Sequence, residues 1–254
     1  MEHHFLWYDI IPVIKQIPHH LYHILGSLIV LGIISLLAIW GYVQLQKRKN
    51  PILPPSRFSI VGLWDIIVEK LGNLVISVCG PGGKPYIPLV GGIFIYIFLM
   101  NIMGLIPGGL SSTTFINTNF ACAFTIFFYY NYLGFKEHKW GYLKHFAGPI
   151  IYVAPLIFVI EILGHCFRPF TLSLRLFGNM TGDHIVLGIF SDLGMKIFHA
   201  GADVHPILAA IASIPTTLIP LPFYALGLFV CFIQAFVFTL LSTVYIALAI
   251  SHEH

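Results

Sequence analysis

Twenty-one consecutive residues, Leu25 to Leu45, contain no charged side chain. About 20 mostly apolar residues suffice for a helix to cross the hydrocarbon of a bilayer. Further apolar runs follow, with charge confined to short stretches between them. Across all 254 residues, 57% are hydrophobic and 9% charged, against roughly 25% charged in soluble domains. A water-soluble fold would have to bury nearly the whole chain, so this is an all-α integral membrane protein in a lipid bilayer.

The runs divide the chain. Residues 1–24 form an N-terminal segment, and residues 25–135 hold three spans: Leu25–Leu45, Leu89–Ile106 and Asn119–Phe135. Between the first two, Val61–Val78 mixes apolar residues with Asp65, Glu69 and Lys70. Three- and four-residue spacings bring those charges to one helical face, the pattern of an amphipathic helix at the interface. Met1-Glu2-His3-His4 lacks the basic start of a signal peptide, so the first span is expected to stay in the mature protein.

Residues 136–148 form a loop, and 149–254 the last unit. As one helix, Pro149–Phe190 would be about 63 Å long, twice the roughly 30 Å hydrocarbon thickness. Pro206–Ile250 has the same excess, and Pro169 should kink the first arm by removing a backbone bond. The expectation is two long, bent, steeply tilted helices forming a hairpin, joined by Ser191–His205. The total is about five membrane helices plus the interfacial one.

Basic residues accumulate on the cytoplasmic side of membrane proteins. Lys47, Arg48, Lys49 and Arg57 follow the first span, and Lys136, Lys139 and Lys144 the third; Pro107–Asn117 carries no charge. The N-terminus and the hairpin connector are therefore expected outside and the C-terminus in the cytoplasm. The net charge of +3, clustered in two loops, offers no stripe for nucleic acid. Cys79, Cys122, Cys166 and Cys231 are far apart with no CxxC pair, and read as small buried hydrophobes.

Polar residues in the first arm of the hairpin are ordered. At about 100° per residue, Glu161, His165, Arg168, Arg175 and Asn179 fall within an arc of roughly 80°. An Arg at a bilayer centre costs about 2.5–3.5 kcal/mol on insertion scales. Arg175 lies between Leu172-Ser173-Leu174 and Leu176-Phe177, away from any helix end. Such a stripe lines an ion path or meets a partner's charge; the plainer alternative is a structural ion pair within the membrane.

Arg168-Pro169-Phe170-Thr171-Leu172-Ser173-Leu174-Arg175-Leu176-Phe177-Gly178-Asn179-Met180 resembles the signature stretch of subunit a of rotary F-type ATP synthases. Ile233-Gln234-Ala235-Phe236-Val237-Phe238, Thr243-Val244-Tyr245 and the closing Ser251-His252-Glu253-His254 resemble the end of its bacterial form. Met100-Asn101-Ile102-Met103-Gly104-Leu105-Ile106-Pro107 is similar to its second span. The resemblance covers roughly residues 90–254.

It implies a stator subunit of the bacterial inner membrane that passes protons and catalyses no bond-making. Implied partners are the ring of c subunits, the peripheral-stalk b subunits and the rest of the synthase, with no cofactor. Arg175 would face the ring, with Gln234 opposite it on the neighbouring helix. Asn179 and His184 would line a half-channel from outside, and Glu161 would lie toward a cytoplasmic one. The usual small-residue pair after Asn179 is here Gly182-Asp183, which adds an acid beside His184. Gly227 stands where many relatives carry a second ionisable group.

Two other classes fit parts of the sequence. A secondary transporter would also put polar groups at mid-membrane, but should show an internal repeat, and none is evident. An intramembrane metal or haem site is suggested by thirteen histidines, yet only His165 and His184 lie well inside apolar runs, nineteen residues apart.

Overall fold

The computed structural model describes residues 21–47, 60–106, 109, 111–139, 154–202 and 218–250. Six α-helices account for most of them: α1 Tyr22–Gln46, α2 Ile60–Cys79, α3 Ile87–Leu105, α4 Ile116–His138, α5 Ala154–Ala202 and α6 Pro220–Ile250. Two 3₁₀ turns, Pro81–Tyr86 and Ser112–Thr114, lead into α3 and α4. Four segments are long and apolar enough to cross a membrane: α1, Pro81–Leu105, most of α5, and α6. With 23 residues α4 is also long enough, but its Asn117, Thr118, Asn119 and Asn131 make it the most polar of the expected spans.

Each helix follows from its residues. In α2, Asp65, Glu69 and Lys70 are exposed together, while Leu71 and Val75 are buried on the opposite side. Pro220 and Pro222 open α6, where a missing N–H costs no intrahelical bond. Between the two, α5 runs for 49 residues with Pro169 inside it, about 74 Å at helical rise. The segment carrying Arg175 stays helical past the proline, and the Ser173 hydroxyl donates to the Pro169 carbonyl at 2.7 Å.

One expectation is corrected here. Ser191–His205 does not form a connector from its first residue, because α5 continues to Ala202. Residues 191–202 contain no proline, and Leu193, Met195, Lys196 and Ala200 all favour helix. The hairpin closes before that extension, where Phe190 stacks on Phe223 with ring centroids 3.9 Å apart. The expected 136–148 loop likewise starts later, because α4 continues to His138; its residues from 140 on, the rest of the expected connector and the start of the second arm lie outside the described residues, as do residues 1–20 and 251–254.

The core sits where α3, α4, α5 and α6 meet, the most extensive packing being α3 on α6 and α4 on α5. Val90, Phe94, Ile97, Ile126, Tyr130, Leu172, Leu176, Ala235 and Phe238 are buried in it. Outside it the helices present large apolar side chains: Leu36 is 69% exposed and Phe128 66%. Such surface is a liability in water and matches lipid tails in a bilayer.

Candidate functional site

The five polar residues of α5 that share one arc do not share one environment. His165 is buried, and its Nε2 lies 2.9 Å from Asn131 Oδ1 on α4, a helix-to-helix bond. The rings of Phe127 and Tyr130 flank it, at 5.3 and 5.2 Å between centroids. Arg168 lies 3.7 Å from Glu161, with side chains 25% and 48% exposed. Its guanidinium carbon also sits 5.0 Å above the ring of Tyr245 on α6.

Arg175 is different. It is exposed between the exposed Leu174 and the buried Leu176. No hydrogen bond or ion pair to it occurs among the described residues. A full positive charge therefore lies on the outer surface of an apolar helix with nothing within the described chain to balance it.

One turn further on, α5 faces inward again. A narrow cleft between α3, α5 and α6 is lined by Asn179 and Asp183 of α5, Gln234 of α6 and Asn101 of α3, with Leu176 and Met180 as apolar wall. Among the described residues, Asp183 Oδ2 and Gln234 Oε1 are buried acceptors without a donor. A buried polar group of this kind carries a desolvation cost of about 1–3 kcal/mol unless water or a proton meets it. Three of the six site residues expected from sequence, Asn179, Asp183 and Gln234, are thus brought together.

His184 turns toward α3. Its Nε2 lies 3.1 Å from where a Cβ on Gly104 would stand, and the Met180 methyl and the Ser111 Cβ crowd the same point. Gly104 is what allows this approach. Glu161 is remote from the cleft, fourteen residues before Arg175 on the same helix, about 21 Å of helical rise. At Gly227, an added Cβ would meet Leu105 Cδ2 at 2.6 Å. Leu105 thus fills the space that a larger residue would need, and the acid of this region is Asp183.

Sequence reasoning left Asn101 without a role. It is 2% exposed, lines the cleft, and accepts at Oδ1 from the Thr113 hydroxyl at 2.8 Å. Thr113 is held by Ser111 and by Asn119, whose amide donates to the Thr113 carbonyl at 2.7 Å. The available signal was a single amide inside the apolar run Ile93–Ile106. Of the cysteines, all free, Cys231 is buried but Cys166 is exposed, against the expectation of burial for all four. Among the described residues no three His, Cys, Asp or Glu side chains converge on a metal-sized site.

Comparison with known proteins agrees over most of the chain. It is 40% identical to ATP synthase subunit a of Bdellovibrio bacteriovorus over 255 residues, 98% of this chain and 99% of that one. Identity is 37% to ATP synthase subunit a of Desulfosudis oleivorans, covering 94% and 93% of the two chains. It is 42% to ATP synthase subunit a 3 of Pelobacter propionicus, covering 87% and 86%. Residues 24–247 match the profile of the family described as ATP synthase A chain, and the protein belongs to that family.

Proposed function

We propose that this protein is the proton-conducting stator subunit of a bacterial F-type ATP synthase, with two half-channels separated by Arg175. The observation that carries the reading is the exposed, internally unbalanced Arg175 on α5. An arginine in lipid needs an anion, and the chain supplies none within its described residues; a ring of c subunits bearing carboxylates would supply one after another. The b subunits of the peripheral stalk would hold this chain still while the ring turns.

The chemistry follows from the residue types. Arginine keeps its proton at any accessible pH, so Arg175 is a fixed charge and not a relay. A carboxylate arriving from lipid is favoured protonated, and beside the guanidinium its pKa falls, typically by 1–3 units. Each ring carboxylate must therefore release a proton on reaching Arg175 and regain one before re-entering lipid. Asn179, Asp183 and Gln234 around the cleft, with His184 next to it, form the path from outside. Glu161 lies toward the cytoplasmic path. His184 and Glu161 are groups that exchange protons, which favours protons over sodium as the coupling ion. The subunit makes and breaks no covalent bond; ATP chemistry belongs to other parts of the complex.

The N-terminus and the end of α5 near Lys196 face outside, and Lys139 and the C-terminus face the cytoplasm of a cell whose inner membrane holds the complex. The test of function is Arg175→Ala in the assembled complex. ATP synthesis and ATP-driven proton pumping are expected to vanish with membrane insertion intact, and Arg175→Lys should also be poor because an ammonium is more strongly hydrated and can lose its proton once the ring covers it. Normal coupled transport by Arg175→Ala would overturn the reading.

A further inference from the structure

Two arginines stand two turns apart on one face of α5, and only one of them is left uncompensated. Arg168 and Arg175 differ by about 20° around the helix. Arg175 is exposed, without an ion pair or hydrogen bond among the described residues, whereas Arg168 is engaged from two directions. Glu161, two turns earlier on α5, lies 3.7 Å from it. The face of Tyr245, from α6, sits 5.0 Å beneath its guanidinium.

The platform is itself braced. Tyr245 lies 5.7 Å from Tyr130 on α4, and Tyr130 lies 5.2 Å from His165, which is tied to Asn131. The α6 ring that carries Arg168 is thus backed by Tyr130 of α4, which His165 of α5 braces in turn. An ion pair with Glu161 alone would balance charge without fixing direction, since both side chains are long and rotatable. The Tyr245 face adds a direction, because a guanidinium stacks on an aromatic plane and an ammonium does so less well.

We propose that Tyr245 and Glu161 park Arg168 against α6, so that Arg175 is the cation offered to an incoming carboxylate. The inference rests on the reading that Arg175 meets the ring. A second free guanidinium about 10.5 Å of helix away would hold an ionised ring carboxylate before it regained a proton, and rotation would slow. Tyr245 is on this account a positioning residue, acting through Arg168.

The test uses the complete synthase in vesicles and reads ATP-driven proton pumping. Tyr245→Phe keeps the aromatic face and should pump as the parent does, as should Arg168→Gln. Tyr245→Met keeps bulk but not the face, and pumping should fall about two- to fivefold, the population shift from losing one exposed cation–π contact. Combining Tyr245→Met with Arg168→Gln should restore the rate, because no cation remains to be released. A packing role for Tyr245 would leave single and double variants equally slow, and that result overturns the proposal, as does normal pumping by Tyr245→Met. Should Tyr245→Met fail to assemble, Tyr245→Leu with and without Arg168→Gln makes the same comparison; absence of any relief overturns the proposal. Arg175→Ala serves as the control. If it still pumps, the underlying reading has failed; if it is inactive and Arg168→Gln relieves nothing, the parking of Arg168 alone is wrong.

Discussion

At the scale of single residues, glycine decides what approaches the cleft. Gly104 lets Ser111, Met180 and His184 close on α3, with the Ser111 Cβ only 2.5 Å from where its own Cβ would be. A backbone-proximal atom cannot swing aside as the end of a long side chain can. Gly104→Ala is therefore expected to cost about 1–3 kcal/mol through overpacking, read as a lower midpoint for thermal unfolding of the purified complex. An unchanged midpoint would show that the 111–114 turn yields freely. Gly227 makes the opposite case, since its neighbour is the flexible tip of Leu105. Gly227→Ala should be nearly neutral in the same assay, and a loss as large as that of Gly104→Ala would contradict the packing described here.

At the scale of elements, the His165–Asn131 bond joins α5 to α4 in the middle of an apolar region. Interhelical polar bonds in membranes contribute about 0.6 kcal/mol on average and up to roughly 2. A double-mutant cycle of His165→Leu and Asn131→Leu should return a coupling within that range, measured by detergent unfolding; zero coupling would make the contact incidental. This bond also explains what the sequence left open. The 80° arc groups Glu161, His165, Arg168, Arg175 and Asn179 by backbone periodicity alone, at 3.6 residues per turn. It did not separate His165, covered by α4, from Arg175, which nothing covers, because a wheel contains no neighbours. The helix ends show the same division. The bounds of α1, α2 and α3 were legible to within a few residues from apolar runs and proline, while the extension of α5 through residues 191–202 was not. Ser191-Asp192 and Gly194 look like turn chemistry locally, yet the helix formers around them continue the longer element.

At the scale of the whole molecule, α5 and α6 are both too long to cross a bilayer upright, at about 74 and 46 Å. Glu161 and the Asn179–Asp183 cleft are consequently far apart along one helix, with Arg175 between them. Family membership and helical content were readable from residues 90–254, whereas the contribution of Asn101 from α3 to the cleft appears only once the chain is folded. The central claim, that water reaches the two ends of this stripe from opposite sides, has a direct test. In a background lacking Cys79, Cys122, Cys166 and Cys231, the single replacements Glu161→Cys, Asn179→Cys and His184→Cys can be exposed to silver ion or an impermeant thiol reagent, with one membrane face occluded at a time. On that claim, position 161 is protected by blocking the cytoplasmic face and positions 179 and 184 by blocking the outer face. Reaction of all three from the same side would contradict it.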